Sequence, residues 1–201
     1  SPDLGHAKVN PEITNLVKKA AMTFMSLGAY VDEVDPGLGE QHDLFKIFWF
    51  MGAARLQESM TDDQLALLDP GFREVGLEGS EITIKQYLDA TAEREGAGTK
   101  LNQFFDKYDL LLTPTLPITA FDAGEEVPVG SNMKRWTEWT PFSYPFNLGR
   151  HPAASIPCGL CANGLPAGLQ LVGPMNRDDK VLTASRSYEM CNPIQIPELP
   201  I

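Results

Sequence analysis

Apolar residues recur at three- and four-residue steps from Ile13 through Leu16, Val17, Ala20, Ala21 and Phe24 to Leu27, and the run stops at Gly28. That spacing gathers them on one face of a helix, with Pro11 in the first turn, where a missing N–H is tolerated, and a glycine at the exit. The next residues, Ala29 to Val34, alternate instead: Tyr30, Asp32 and Val34 fall on one side and Val31 on the other, before Asp35-Pro36-Gly37. Period two predicts a short strand near a sheet edge.

Helical spacing resumes from Asp43 to Met60, carried by Leu44, Ile47, Phe48, Phe50, Met51 and Leu56. Thr61-Asp62-Asp63-Gln64 then has the spacing of a capping box ahead of Leu65, Leu67 and Leu68. Residues from Pro70 to Ser80 read as a loop, after which Thr83 caps a helix running through Tyr87, Leu88, Ala90, Leu101, Phe104 and Phe105, weakened at Gly96 and Gly98. The aromatic residues of these helices are expected to be core.

The second half changes character. Asp109-Leu110-Leu111-Leu112-Thr113 is a compact apolar run that predicts a strand buried on both faces, feeding a long loop from Pro114 to Gly130. Two further core strands separated by a turn are predicted at Pro152–Pro157 and Ala167–Gly173. Asp178 or Asp179 is expected to cap a last helix through Val181, Leu182 and Tyr188, and the prolines from Pro193 onward forbid regular structure in the tail. No repeat or low-complexity linker interrupts the chain, so residues 1–201 are expected to form one α/β unit.

Composition narrows the picture only slightly. The 201 residues are 43% hydrophobic and carry a formal charge of −11, which fits a globular protein and disfavours phosphate backbones and anionic membrane surfaces as direct partners. No run approaches the ~18 to 20 apolar residues of a membrane span, and the first residues lack the zones of a signal peptide, so the expected compartment is the cytoplasm. Cys158, Cys161 and Cys191 are an odd number, which argues against a disulfide framework, and His6, His42 and His151 offer the Cys158–Cys161 pair no companions at zinc-site spacing. With Pro157 before and Asn163-Gly164-Leu165-Pro166 after, Cys158 and Cys161 fit a hairpin with two small buried thiols. No metal and no cofactor is expected.

Catalytic motifs are missing as well. No window satisfies G-x-S-x-G, H-E-x-x-H, G-x-x-x-x-G-K-[ST] or G-x-G-x-x-G. His151 and Ser155 are tempting neighbours, but on a strand four residues span about 13 Å, beyond the reach of a base for its nucleophile. Acid pairs such as Asp62-Asp63, Glu125-Glu126 and Asp178-Asp179 read as solvated caps and loops.

The order of several segments is distinctive: Asp109 to Pro117, Phe142 to Pro145, Asn147, Gly149, Pro152 to Gly159, Gly164 to Gly173 and Asp179 to Glu189. Together they resemble the C-terminal half of the amidase signature family, and Ser1 to Gly5 with the helix and strand entry that follow resemble the segment after its catalytic core. The resemblance implies an α/β/α sandwich with a mixed sheet flanked by helices. It implies hydrolysis of a carboxylic amide by a serine nucleophile, a second serine and a lysine base, supported by backbone amides.

Those groups lie in the family's N-terminal half, and no Ser or Lys here matches them, so no catalytic residue is assigned. The resemblance points instead to Thr115, Trp136 and Asn147 as residues bordering the substrate pocket, although each also reads as turn or core. Arg150 and His151 stand where the family often has Thr-Gly or Gly-His. Three functions remain open: part of an amidase acting on a small amide, the glutamine-hydrolysing subunit of a tRNA-dependent amidotransferase, or a non-catalytic scaffold that oligomerises through an exposed sheet edge. The absence of a basic stripe favours the first.

Overall fold

The computed structural model describes residues 1–193; the tail reading beyond Pro193 lies outside the described residues. Helix α1 spans Pro11–Ser26, and the side chain of Asn10 accepts the Glu12 N–H at its start. Ile13, Val17, Ala20 and Phe24 form its buried face, as the spacing predicts. Gly28, at φ +94°, turns the chain out of the helix.

Residues 29–34 correct one expectation. They form no ladder, and Tyr30 stands fully exposed. Alternation sorts side chains onto two faces, but a strand also needs a neighbouring edge, and none abuts this segment among the described residues.

Helix α2 spans His42–Gln57, and α3, Asp62–Ala66, begins with the predicted capping box, Thr61 and Gln64 each satisfying the other's backbone. The predicted loop at 70–80 is instead helix α4, Pro70–Ser80. Its glycines serve close packing: a Cβ at Gly79 would stand 2.0 Å from the Phe50 carbonyl oxygen of α2, and one at Gly76 would collide with Gln57. Asp69 caps the helix at Phe72 N–H, 3.0 Å away, and Pro70 takes its first position. Helix α5 runs from Ile84 to Phe105 without a break at Gly96 or Gly98, opened by a second capping box at Thr83 and Gln86.

Strands β1 (Leu111–Pro114), β2 (Ala153–Leu160) and β3 (Pro166–Val172) form a sheet of order β1-β3-β2, both pairs antiparallel. The predicted β2–β3 hairpin is present, closed by the Cys161 N–H to the Leu165 carbonyl at 2.9 Å. Helix α6 covers Tyr144–Gly149 and ends at Arg150 in the left-handed region, φ 59°.

The last helix, α7, spans Asp178–Cys191, but neither Asp178 nor Asp179 caps it; both lie in its first turn and Asp179 pairs with Arg177. At that position a carboxylate still meets the positive end of the helix dipole.

Helices flank the sheet, as the resemblance implies. On one face α1 and α7 bury Val17, Phe24, Val181 and Tyr188 against Ile156, Leu169 and Leu171. On the other, Leu111 and Val172 meet Leu101, Phe142 and Phe146. Each fully buried side chain of this size contributes about 1.5–3 kcal/mol, so the two faces rather than the turns hold the unit together.

Candidate functional site

The first face is sealed by helices; the second is only partly covered, and there the polar groups collect. Register pairs Thr113 with Gln170 and Gln170 with Ser155, so the three form a row across the sheet. Gln170 Nε2 donates to Thr113 Oγ1 at 3.0 Å and to the Phe142 carbonyl at 2.8 Å, fixing the segment ahead of α6 to the sheet. Both Thr113 and Gln170 are buried, so these bonds replace water that the groups have lost.

One residue past β1 the ladder continues: Thr115 N–H donates to the Gly168 carbonyl at 2.8 Å. The Thr115 and Ser155 hydroxyl oxygens then meet at 2.7 Å across Gly168. Only a glycine fits beneath them, since a Cβ there would stand 2.6 Å from Thr115 Oγ1.

This hydroxyl pair opens into a cleft of about 450 Å³, walled by Leu116, Ile118, Phe121 and Trp139. None of the described residues lining it is ionisable. The cleft has room for an apolar group beside the Thr115 and Ser155 hydroxyls, and its described lining supplies no acid or base.

Of the three residues singled out from the sequence, Thr115 lines this cleft, whereas Trp136 and Asn147 lie outside its lining. Trp136 packs edge-on against Phe45 and Trp49, with centroids 6.2 and 5.4 Å away, and Asn147 is exposed on α6. The aromatic wall is Trp139, three residues on, with its ring 5.8 Å from Phe121. Trp-x-x-Trp spacing within one turn was the available signal: residues 136–139 form a 3-10 helix, and the two rings face different neighbours.

Glu126 holds that wall in place. Its carbonyl accepts Trp139 Nε1 at 3.0 Å, and its carboxylate accepts Trp136 N–H at 3.2 Å and lies 3.5 Å from Arg135 Nη1. Arg135 also contacts Glu74 at 2.5 Å and Glu78 at 3.3 Å, both on α4. The Glu74 hydrogen bond, only partly opposed by burial, keeps the Arg135 guanidinium protonated beyond its ordinary range.

His151 and Ser155 take separate partners, in keeping with the strand-distance argument. His151 Nε2 lies 3.2 Å from Asn102 Oδ1 and its ring stacks on Phe105, while Ser155 faces Thr115. Burial pushes the His151 pKa down, which suits a neutral packing role. Burial also raises the Cys158 thiol to about 11, so it is a poor nucleophile near neutral pH. No group of three His, Cys, Asp or Glu side chains that could hold a metal gathers among the described residues, and none of their helices is long and apolar enough to cross a membrane.

A family model described as Amidase matches residues 1–182. An acylamidase of Rhodococcus erythropolis is 29% identical over 199 residues, covering 96% of this chain and 42% of that protein. A glutamyl-tRNA(Gln) amidotransferase subunit of a Picosynechococcus species is 41% identical over 103 residues, or 51% of this chain and 21% of the relative. A crystal structure of a bacterial aryl acylamidase of the amidase signature enzymes superposes with a TM-score of 0.80 at 28% identity, covering 96% of this chain and 43% of that one. A second amidase structure superposes with a TM-score of 0.82 at 28% identity, over 94% of this chain and 44% of that one. The chain thus spans less than half the length of these relatives. Matched across nine-tenths of its length and in the arrangement of its helices and sheet, the chain belongs to the amidase signature family.

Proposed function

We propose that this chain is the C-terminal portion of an amidase, that residues 1–201 act as one unit within it, and that the cleft over Thr115 and Ser155 is one wall of its substrate cavity. The nucleophile and base reside on residues ahead of Ser1. One observation carries this reading: the cleft is largely apolar, its Thr115 and Ser155 hydroxyls are paired with each other, and none of the described residues that line it is ionisable. Activating a serine needs an adjacent base, and Ser155 has none among the described residues, its hydroxyl partner being Thr115. The cleft's contribution is binding and orientation of the amide's apolar part, which lowers the barrier by positioning. A cytoplasmic location accords with this reading.

The test compares this chain with the longer polypeptide. The 201-residue chain is expected to hydrolyse no aryl or aliphatic anilide, and the longer polypeptide to turn it over. In the longer form Ser155→Ala keeps kcat within about tenfold, whereas Trp139→Ala raises KM for aryl substrates with little change in kcat. Turnover by the 201-residue chain, abolished by Ser155→Ala, sinks the proposal.

A second reading rests on the similarity of about half the chain to the glutamyl-tRNA(Gln) amidotransferase subunit. In that case the substrate is glutamine, and hydrolysis depends on partner proteins that hold the acylated tRNA. Glutaminase activity of the longer polypeptide that appears only with such partners, and no anilide turnover, selects it.

A further inference from the structure

Helix α5 buries Ala90, Ala97 and Leu101 along one stripe and turns the opposite stripe to water. Two large apolar side chains stand on the outer stripe, Ile84 at 72% and Leu88 at 61% exposed. Single exposed leucines are ordinary, but the residues around this one are ordered. Lys85, Leu88, Ala92, Glu95 and Thr99 are all exposed and follow one another at alternating steps of three and four, the repeat by which one helix presents a seam to another. Gly96 lies beside the seam with nothing within 4 Å of where a Cβ would be, so a second backbone can come close. The Thr99 hydroxyl already donates to the Glu95 carbonyl at 2.9 Å, and covering it strands no donor.

We infer that this face of α5 is a homodimer interface, on which α5 of a second copy of the chain lies antiparallel about a two-fold axis at the level of Ala90. The seam is complementary to its own reverse. In that register Leu88 stands opposite the small Ala92 of the second copy and Lys85 opposite its Glu95, and symmetry makes each contact twice. Charge also selects the direction: a parallel pair in register would set Lys85 against Lys85 and Glu95 against Glu95, which repel. Both charges are available for the contact. Glu95 has no ion-pair partner among the described residues, and Lys85 has only the exposed Asp89 one turn along, at 2.5 Å. From Lys85 to Thr99 the seam is about 21 Å long at 1.5 Å per residue, which suits a weak, concentration-dependent dimer. This pairing is independent of the amide chemistry above.

Sedimentation equilibrium tests it, at physiological ionic strength and from about 1 to 100 μM protein. The 201-residue chain is expected to show a monomer–dimer equilibrium. Leu88→Glu, which sets a charge against Ala92 of the second copy, is expected to weaken it at least about tenfold. Lys85→Glu and Glu95→Lys each bring like charges together and are expected to weaken it at least about threefold, whereas the double variant recovers the parent's association. Far-UV circular dichroism of all four variants is expected to match the parent, since every changed position is exposed. A parent chain that stays monomeric across the range overturns the inference. So does a dimer indifferent to the charge reversals, because another surface such as the free edge of β1 then holds it, and so does a double variant no stronger than the singles. A longer polypeptide that is monomeric where the 201-residue chain dimerises overturns it too, because the rest of the protein then covers the seam.

Discussion

The hydroxyls of Thr115 and Ser155 meet at 2.7 Å above Gly168, joining the loop after β1 to the middle of β2 across a residue that has no side chain. A methyl group on Gly168 would lie 2.6 Å from Thr115 Oγ1 and 3.0 Å from Ser155 Oγ. Gly168→Ala is therefore expected to lower unfolding stability by about 1–3 kcal/mol, the usual range for overpacking. Urea midpoints measure it. Adding Thr115→Ala to that variant restores part of the loss, because it removes the nearest clash.

Arg135 is the hub between α4 and the wall of the cleft. It is 17% exposed, whereas Glu74, Glu78 and Glu126 are 60%, 48% and 33% exposed, so solvent screens much of each pair. Arg135→Ala is expected to cost about 1–2 kcal/mol, more than a single surface pair but less than a fully buried one. The specific readout is Trp fluorescence, which shifts as Trp136 and Trp139 lose their fixed places; Lys85→Ala, which breaks an exposed pair with Asp89, leaves it unchanged.

His151 makes stability depend on pH in a defined direction. Its folded pKa lies below the ordinary 6.5, so as pH falls below 6.5 the unfolded chain binds a proton that the folded chain refuses. Stability contributed by the neutral ring is present above 6.5 and is lost as pH falls through the lowered folded value. Denaturant melts from pH 7.5 downward are expected to show this loss, and His151→Gln to flatten the slope.

Thiol reactivity should be ordered. Cys191 is exposed at the end of α7, and Cys158 is half-buried with a pKa of about 11. At pH 7.5 a disulfide reagent is expected to label Cys191 first and Cys158 slower by a hundredfold or so, since thiolate fraction and access both disfavour it. Mass spectrometry of tryptic peptides at early times checks the order.

Elements with their own local grammar were legible in the sequence. Pro11 opening α1, the box at Thr61, the cap at Thr83 and the turn around Asn163-Gly164 each settle their backbone within a few residues, so spacing alone reveals them. Helix α4 was not legible, because Gly76 and Gly79 have opposite meanings in a loop and in a close helix contact, and only α2 decides between them. Segment 29–34 carries the alternation of a strand, but its state depends on a neighbour that no pattern within these residues supplies. The place of Thr115 in the lining of the cleft follows from its position just past a strand. That of Trp139 does not, because which of two tryptophans faces the cleft is set by Glu126, more than ten residues away in sequence.

That last link extends as far as α4. Glu126 rests against the first turn of α4, where a side chain at Gly71 would stand 2.7 Å from its carboxylate, and through it the pitch of α4 reaches Trp139. A helix outside the lining of the cleft thus bears on the placement of the tryptophan that walls it. A substitution on α4 at Gly71 therefore reaches the contour of the cleft while leaving every described lining residue as it is.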